Sequence, residues 1–138
     1  MKIGIITAMS SEQKQLANQL EDKTESKKGP FSYIEGTIRR NNVILTQCGI
    51  GKVNAAAGTV ELIRNFQPDC IISTGVAGGI DSCLNIMDVV ASRQIVYHDV
   101  WCGEGNAYGQ IQGLPAFFQG NETLYECALS LDTETPIH

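Results

Sequence analysis

Glu12 is the side chain in this sequence best placed for acid–base chemistry. It follows the β-branched run Lys2–Thr7, read as a first strand, and sits near the start of a helix that Ser10 or Ser11 can cap and that runs to about Leu20. Ser10 with Gln13 fits a capping box. Glu12, Leu16 and Leu20 recur at i, i+4 and i+8, with Met9 one turn earlier, so the carboxylate shares a face with packing side chains. That position, just past the carboxyl end of the first strand where open α/β sheets bind ligands, is unusual for a carboxylate. Burial would raise its pKa and its first-turn position would lower it; the sequence alone leaves the sign open. His98-Asp99 is the other candidate pair, either catalytic or a hydrogen-bonded structural pair, and no serine or cysteine nucleophile is placed to complete a triad. No His or Cys cluster has metal-ligand spacing, so neither a metal nor a cofactor is expected.

Two glycine-rich junctions accompany Glu12. Thr74-Gly75-Val76-Ala77-Gly78-Gly79 follows the buried strand pattern Asp69–Ser73 and offers bare backbone to a ligand, or else is a tight turn with no ligand. Gly49-Ile50-Gly51-Lys52 follows Cys48. It fails as a phosphate-binding P-loop, with Thr46 and Val53 at the required Gly and Ser/Thr positions. It also fails as a dinucleotide fingerprint, with Asn54 in place of the last glycine.

The elements that must position these residues follow in order. Glu21–Pro30 is polar and reads as a solvated loop. Phe31–Ile38 and Asn42–Cys48 read as two strands joined by the exposed turn Arg39-Arg40-Asn41. A second helix spans about Val53–Phe66, with Val53, Ala56, Val60 and Ile63 as its expected buried face. Met87–Tyr97 reads as another apolar strand. Residues 100–120, with Trp101, Tyr108, Phe117 and Phe118, read as a long loop suited to a ligand lid or a subunit contact. Glu122–Leu131 reads as a helix. The expected fold class is α/β, three layers (α/β/α) around a central mixed β-sheet. The junctions after Thr7, Cys48 and Ser73 are expected to gather on one edge of that sheet. A site of backbone, apolar groups and one carboxylate suits a neutral, flat, partly apolar ligand.

Composition narrows the partners. The 138 residues suffice for one domain with a core, and a net charge of −5 argues against nucleic acid or an anionic membrane as partner. The five cysteines are odd in number and form no C-x-x-C, which points to reduced, mostly buried thiols and a cytoplasmic setting. The apolar run at the N-terminus is too short for a signal peptide, and no window has the length of a membrane span.

The motifs Met1–Met9 with Glu12, Cys48–Ala56, Pro68–Gly79 and Tyr97-His98-Asp99, in that order and spacing, resemble bacterial 5'-methylthioadenosine/S-adenosylhomocysteine nucleosidases of the purine nucleoside phosphorylase-like superfamily. The resemblance runs from Met1 to about Gln119. It implies hydrolysis of the N-glycosidic bond of 5'-thio adenine nucleosides to adenine and a thioribose, with Glu12 as the carboxylate that activates water. It implies that Ala8, Met9 and Ile50 line the ribose and 5'-alkylthio end, and that the backbone of Ala77 and Gly78 meets the nucleoside near its base. Val76 stands where the family commonly has a serine that helps hold the water or, in phosphorylases, phosphate.

The resemblance also implies a nucleoside phosphorylase-like fold that is incomplete at the C-terminus. Residues 1–138 then form the N-terminal portion of a single nucleosidase domain, without the aspartate that protonates adenine, the aromatic residue that stacks on it, or the Met-Glu pair that holds the ribose. Little or no activity is expected of these residues alone. A homodimer is implied, with the loop after Asp99 closing the neighbour's pocket. Two alternatives stand beside hydrolysis: a nucleoside phosphorylase, and a non-catalytic adenine-nucleoside-binding or assembly fragment. Against the first, no arginine directly precedes Thr74-Gly75 to bind phosphate.

Overall fold

A computed structural model of the chain describes residues 1–138. They divide into two compact units, Met1–Gly78 and Gly79–His138. In the first unit the elements are β1 (Lys2–Thr7), α1 (Ser10–Asn18), β2 (Glu21–Lys28), β3 (Phe31–Ile38), β4 (Asn41–Gln47), α2 (Lys52–Phe66) and β5 (Cys70–Ser73). They build one five-stranded sheet in the order β2-β3-β4-β1-β5. β1 runs parallel to both β4 and β5, while β2, β3 and β4 form an antiparallel meander. This is the mixed sheet expected from the sequence.

Alternation along β4 explains the three layers. Val43 and Leu45 pack with Ile5 and Leu20, and Leu16 and Ala17 of α1 lie against that cluster. Ile44 points to the other face and packs with Tyr33, Leu62 and Phe66, the last two from α2. The two helices therefore cover opposite faces. Leu45 and Leu62 are both 0% exposed, and full burial of such a side chain is worth about 1.5–3 kcal/mol.

Several expectations are corrected. Glu21–Pro30 is no loop: Glu21–Lys28 is an edge strand paired antiparallel with β3, turning at Gly29-Pro30. Its side chains are mostly exposed, so it carries no hydrophobic signal, and its lysines and glutamates suit a sheet edge. Helix α1 is capped by neither Ser10 nor Ser11. Met9 is the N-cap, and Glu12 reaches back to its amide.

The buried face of α2 is Gly58, Leu62 and Phe66, whereas Val53 (83% exposed), Val60 and Ile63 lie open to solvent. The helix is apolar on two faces, and periodicity could not say which one meets the sheet. Cys83, Cys102 and Cys127 are exposed and only Cys48 and Cys70 are half-buried, so the thiols are not mostly buried.

The second unit holds β6 (Gln94–Ile95), β7 (Phe118–Gln119) and α3 (Glu122–Leu129). The expected strand Met87–Tyr97 reduces to the two-residue β6, antiparallel to β7, and a single bridge from Val89 to Ile137. Met87 has φ +81°, which breaks the extended run. An apolar, β-branched stretch becomes a long strand only where a partner strand of similar length lies beside it. No helix of the chain is long and apolar enough to cross a membrane.

Candidate functional site

Parallel pairing sets the site's framework. In register, Thr7 lies beside Gln47 and Ile6 beside Ser73, so β1, β4 and β5 end at the same level. Main-chain bonds continue the alignment past the strand ends: Cys48 N–H donates to Thr7 O (2.9 Å) and Thr74 N–H to Ile6 O (3.1 Å). The three junctions expected to share one edge do share it. Gly49 and Gly51, at φ +94° and +100°, turn the chain from β4 into α2 in a conformation that L side chains rarely adopt.

Glu12 reaches across this edge. Its Oε2 accepts from the amides of Ala8 (3.0 Å) and Met9 (2.9 Å), and its Oε1 accepts from the amide of Val76 (3.0 Å). One carboxylate thus joins the β1–α1 turn to the turn after β5. The bond from Val76 and then that from Met9 hold its carboxyl below the usual carboxylate range; desolvation opposes them, and the Ala8 bond adds a smaller lowering. The sign that the sequence left open is set by main-chain donors, and Glu12 is ionised at neutral pH. Each carboxylate oxygen can accept about two hydrogen bonds. Oε2 uses both, while Oε1 keeps an acceptor direction for one more donor.

A recess of about 330 Å³ lies beside Glu12, lined by Ser11, Glu12, Gln15, Leu16, Thr74, Gly75 and Val76. A slightly larger recess of about 400 Å³, bordered by Gln13, Glu25 and Lys27, lies against the β2–β3 hairpin. No strand-end backbone converges on that second recess, and it is not the better candidate. Cys48, directly after β4, lies close enough to Glu12 to feel its charge. Burial chiefly, and then the Glu12 charge, push its thiol pKa up. Its single S–H has the carbonyl oxygens of Thr7 and Gly49 (both 3.2 Å from Sγ) as acceptors, which suits a protonated structural thiol, not a nucleophile.

Of the residues singled out from the sequence, the structure brings Glu12, Ala8, Met9 and Val76 together. Val76 takes part through its amide; its side chain is 79% exposed and adds no donor. Ala77 and Gly78 continue the same turn, exposed and without a bond to the carboxylate. Ile50 lies in the turn after β4, 72% exposed, with its carbonyl accepting from Asn54. Ser11, Gln15, Thr74 and Gly75 also line the recess, where the sequence offers Ser11 only as a helix cap, Thr74-Gly75 only as bare backbone, and no role for Gln15. The helical offsets from Glu12 could have marked Gln15, and Thr74-Gly75 lay inside the glycine-rich stretch. His98 and Asp99 are exposed. A histidine–aspartate pair forms elsewhere in the second unit, between His138 Nε2 and Asp88 Oδ2 at 3.2 Å.

A three-layer α/β unit with one ionised carboxylate held by backbone amides where its parallel strands end has that carboxylate at the edge where open α/β sheets place their ligands. The chain belongs to the phosphorylase superfamily, whose family model matches residues 2–138. It is 45% identical over 125 residues to a 5'-methylthioadenosine/S-adenosylhomocysteine nucleosidase of Actinobacillus succinogenes, covering 90% of this chain and 54% of that protein. It is 43% identical over 129 residues to the nucleosidase of Anoxybacillus flavithermus, covering 93% and 56%.

Among solved structures it superposes on the Colwellia psychrerythraea nucleosidase in complex with adenine, with a TM-score of 0.89 and 38% identity over 93% of this chain and 53% of that one. The Neisseria meningitidis nucleosidase in complex with methylthio-immucillin-A gives 0.87 and 39% over 92% and 55%. The chain spans about half the length of the relatives it matches.

Proposed function

We propose that these 138 residues are the water-activating portion of a single nucleosidase domain that hydrolyses the N-glycosidic bond of 5'-methylthioadenosine and S-adenosylhomocysteine, releasing adenine and a thioribose. The observation that carries this reading is the ionised Glu12, held at the shared strand edge, within a chain similar to nucleosidases solved with adenine and an inhibitor bound. Glu12 Oε1, with its remaining acceptor direction, takes a proton from the attacking water. Its charge also favours the positive character that develops on the ribose as the bond to adenine breaks. Main-chain amides, not ionisable partners, keep the carboxylate ionised and in place, and by lowering its pKa they make it a weaker base than a free carboxylate.

The nucleoside's 5' end lies along Ala8, Met9 and Ile50, and its base end near Ala77 and Gly78. Val76 presents no hydroxyl, which favours water over phosphate as the attacking group. The domain works as a homodimer in the cytoplasm. The exposed apolar face of α2 (Val53, Val60, Ile63) and the exposed Trp101 and Tyr108 support self-association, and the five free thiols support a reducing setting.

The test compares adenine release from methylthioadenosine by the 138-residue chain with release by the same chain extended with the remaining part of the Actinobacillus succinogenes relative. Release by the extended chain alone is expected, independent of phosphate, and reduced about 10²–10⁴-fold by Glu12→Gln. Appreciable release by the 138 residues would sink the half-site reading. Phosphate-dependent formation of a ribose phosphate would reassign the protein to the phosphorylases. Binding without release in either form would make it a binding or assembly module.

A further inference from the structure

We propose that Gly75 is a positioning residue for the Glu12 carboxylate: the missing side chain at position 75 is the space the carboxylate occupies. The inference rests on the reading of Glu12 as the water-activating base, but the geometry that carries it is independent of any substrate.

A Cβ built on Gly75 would stand 2.6 Å from Glu12 Oε1, 2.9 Å from its Cδ and 3.2 Å from Oε2. The first two distances are shorter than a carbon atom tolerates. Backbone conformation is not the reason for glycine here, since Gly75 is absent from the glycines with positive φ. The requirement comes from the carboxylate alone. Position 75 also directly precedes the amide that binds Oε1, so the same turn both makes the room and supplies the donor.

The atoms that would collide are the free end of a flexible side chain, not backbone. An alanine at 75 can therefore be absorbed by swinging the carboxylate away, at the expense of its bonds to Val76, Ala8 and Met9, while the sheet beneath stays as it is. Gly78, three residues on in the same turn, provides the contrast: it too lacks a positive φ, and a Cβ there meets nothing within 4 Å. Other groups facing the carboxylate do not confuse its titration. Ser11, Gln15 and Thr74 are uncharged, and the nearby Cys48 thiol, directly after β4, is held neutral.

The experiment uses the 138-residue chain as wild type, Gly75→Ala and Gly78→Ala. Titration of the Glu12 side-chain carboxyl is followed by carbon-13 NMR, hydrogen exchange at the Val76 amide is measured, and the urea midpoint reports the fold. Gly75→Ala is expected to move the Glu12 midpoint upward and to speed Val76 exchange about tenfold or more, as loss of a hydrogen bond to a charged group requires. Its urea transition is expected to stay cooperative, with a midpoint lowered by the loss of the Glu12 bonds, and Gly78→Ala is expected to leave both Glu12 readouts at their wild-type values.

An unchanged Glu12 titration and Val76 exchange in Gly75→Ala would overturn the proposal. So would loss of the folded sheet in that variant, which would make Gly75 a residue of the fold, or the same shifts in Gly78→Ala, which would make them a generic glycine effect. Absence of adenine release in the extended chain would sink the nucleosidase reading and leave these results untouched.

Discussion

Three amide donors on one carboxylate make Glu12 more than a candidate base: it also ties the β1–α1 turn to the turn after β5. Its pKa is depressed in the folded chain, so the sign of its pH linkage follows. The stabilisation is present above the ordinary carboxylate pKa and is lost as pH falls through the lower folded-state value, where protonation removes the charge that the amides bind. Glu12→Gln is expected to lower the urea midpoint at neutral pH, because the amide NH₂ faces donors where a carboxylate oxygen accepted. The gap from wild type should shrink as pH is lowered below the carboxylate range; a gap that is constant with pH would show that the carboxylate charge is not what holds the turn. The sequence marked Glu12 by its helical spacing. The donors were not legible, because backbone amides carry no residue signature, and a valine at 76 conceals that its N–H, not its side chain, is the functional group.

Helix α2 shows where a one-dimensional pattern stops being sufficient. Val53, Ala56, Val60 and Ile63 have helical spacing, but so do Gly58, Leu62 and Phe66, and the sheet takes the second set. Gly58 lets the helix approach closely there, since a Cβ would come 2.6 Å from that of Cys48. Leu62→Ala is expected to cost about 2–5 kcal/mol in urea unfolding. Ile63→Ala, one residue on and 47% exposed, is expected to cost well below that, about 1 kcal/mol or less. Equal costs would mean that the outer face is also buried in solution.

On the same side of the sheet, the buried Tyr33 hydroxyl lies near Asn65 but forms no hydrogen bond of good geometry, while its ring packs 4.7 Å from that of Phe66. Tyr33→Phe keeps the ring contact and removes the unsatisfied group, so it is expected to be neutral or stabilising; a loss above about 1 kcal/mol would contradict that account. Strand β2 is the opposite lesson. Its pairing is made by backbone, its side chains are polar, and the hydrophobic pattern that reveals central strands is absent from an edge strand.

Across the whole molecule, order is concentrated in the first unit. The buried residues of β1 and β4 lie in the middle of a five-stranded sheet covered on both faces. The second unit has two-residue strands, a short helix and many exposed apolar side chains, including Ile80 (99%) and Ile86 (96%). Hydrogen exchange is expected to be slowest at β1 and β4 and much faster at residues 100–117, where turns replace regular pairing. Comparable protection in the two regions would show that the second unit has a core of its own.

What the sequence determined by itself were the local properties: the first strand, the two long helices of the first unit, the central strands, the glycine-rich junctions and the one carboxylate at a strand end. Each is written in nearby residues as a period, a composition or a breaker. Tertiary structure alone decided which face of α2 is buried, that Glu21–Lys28 pairs as an edge strand, that Met87–Tyr97 forms only a short strand, and that Glu12 binds Val76. These depend on partners far apart in the chain. Apolar spacing says that a surface should be covered and a carboxylate says that donors should be found; only the packed chain says which partner meets the need.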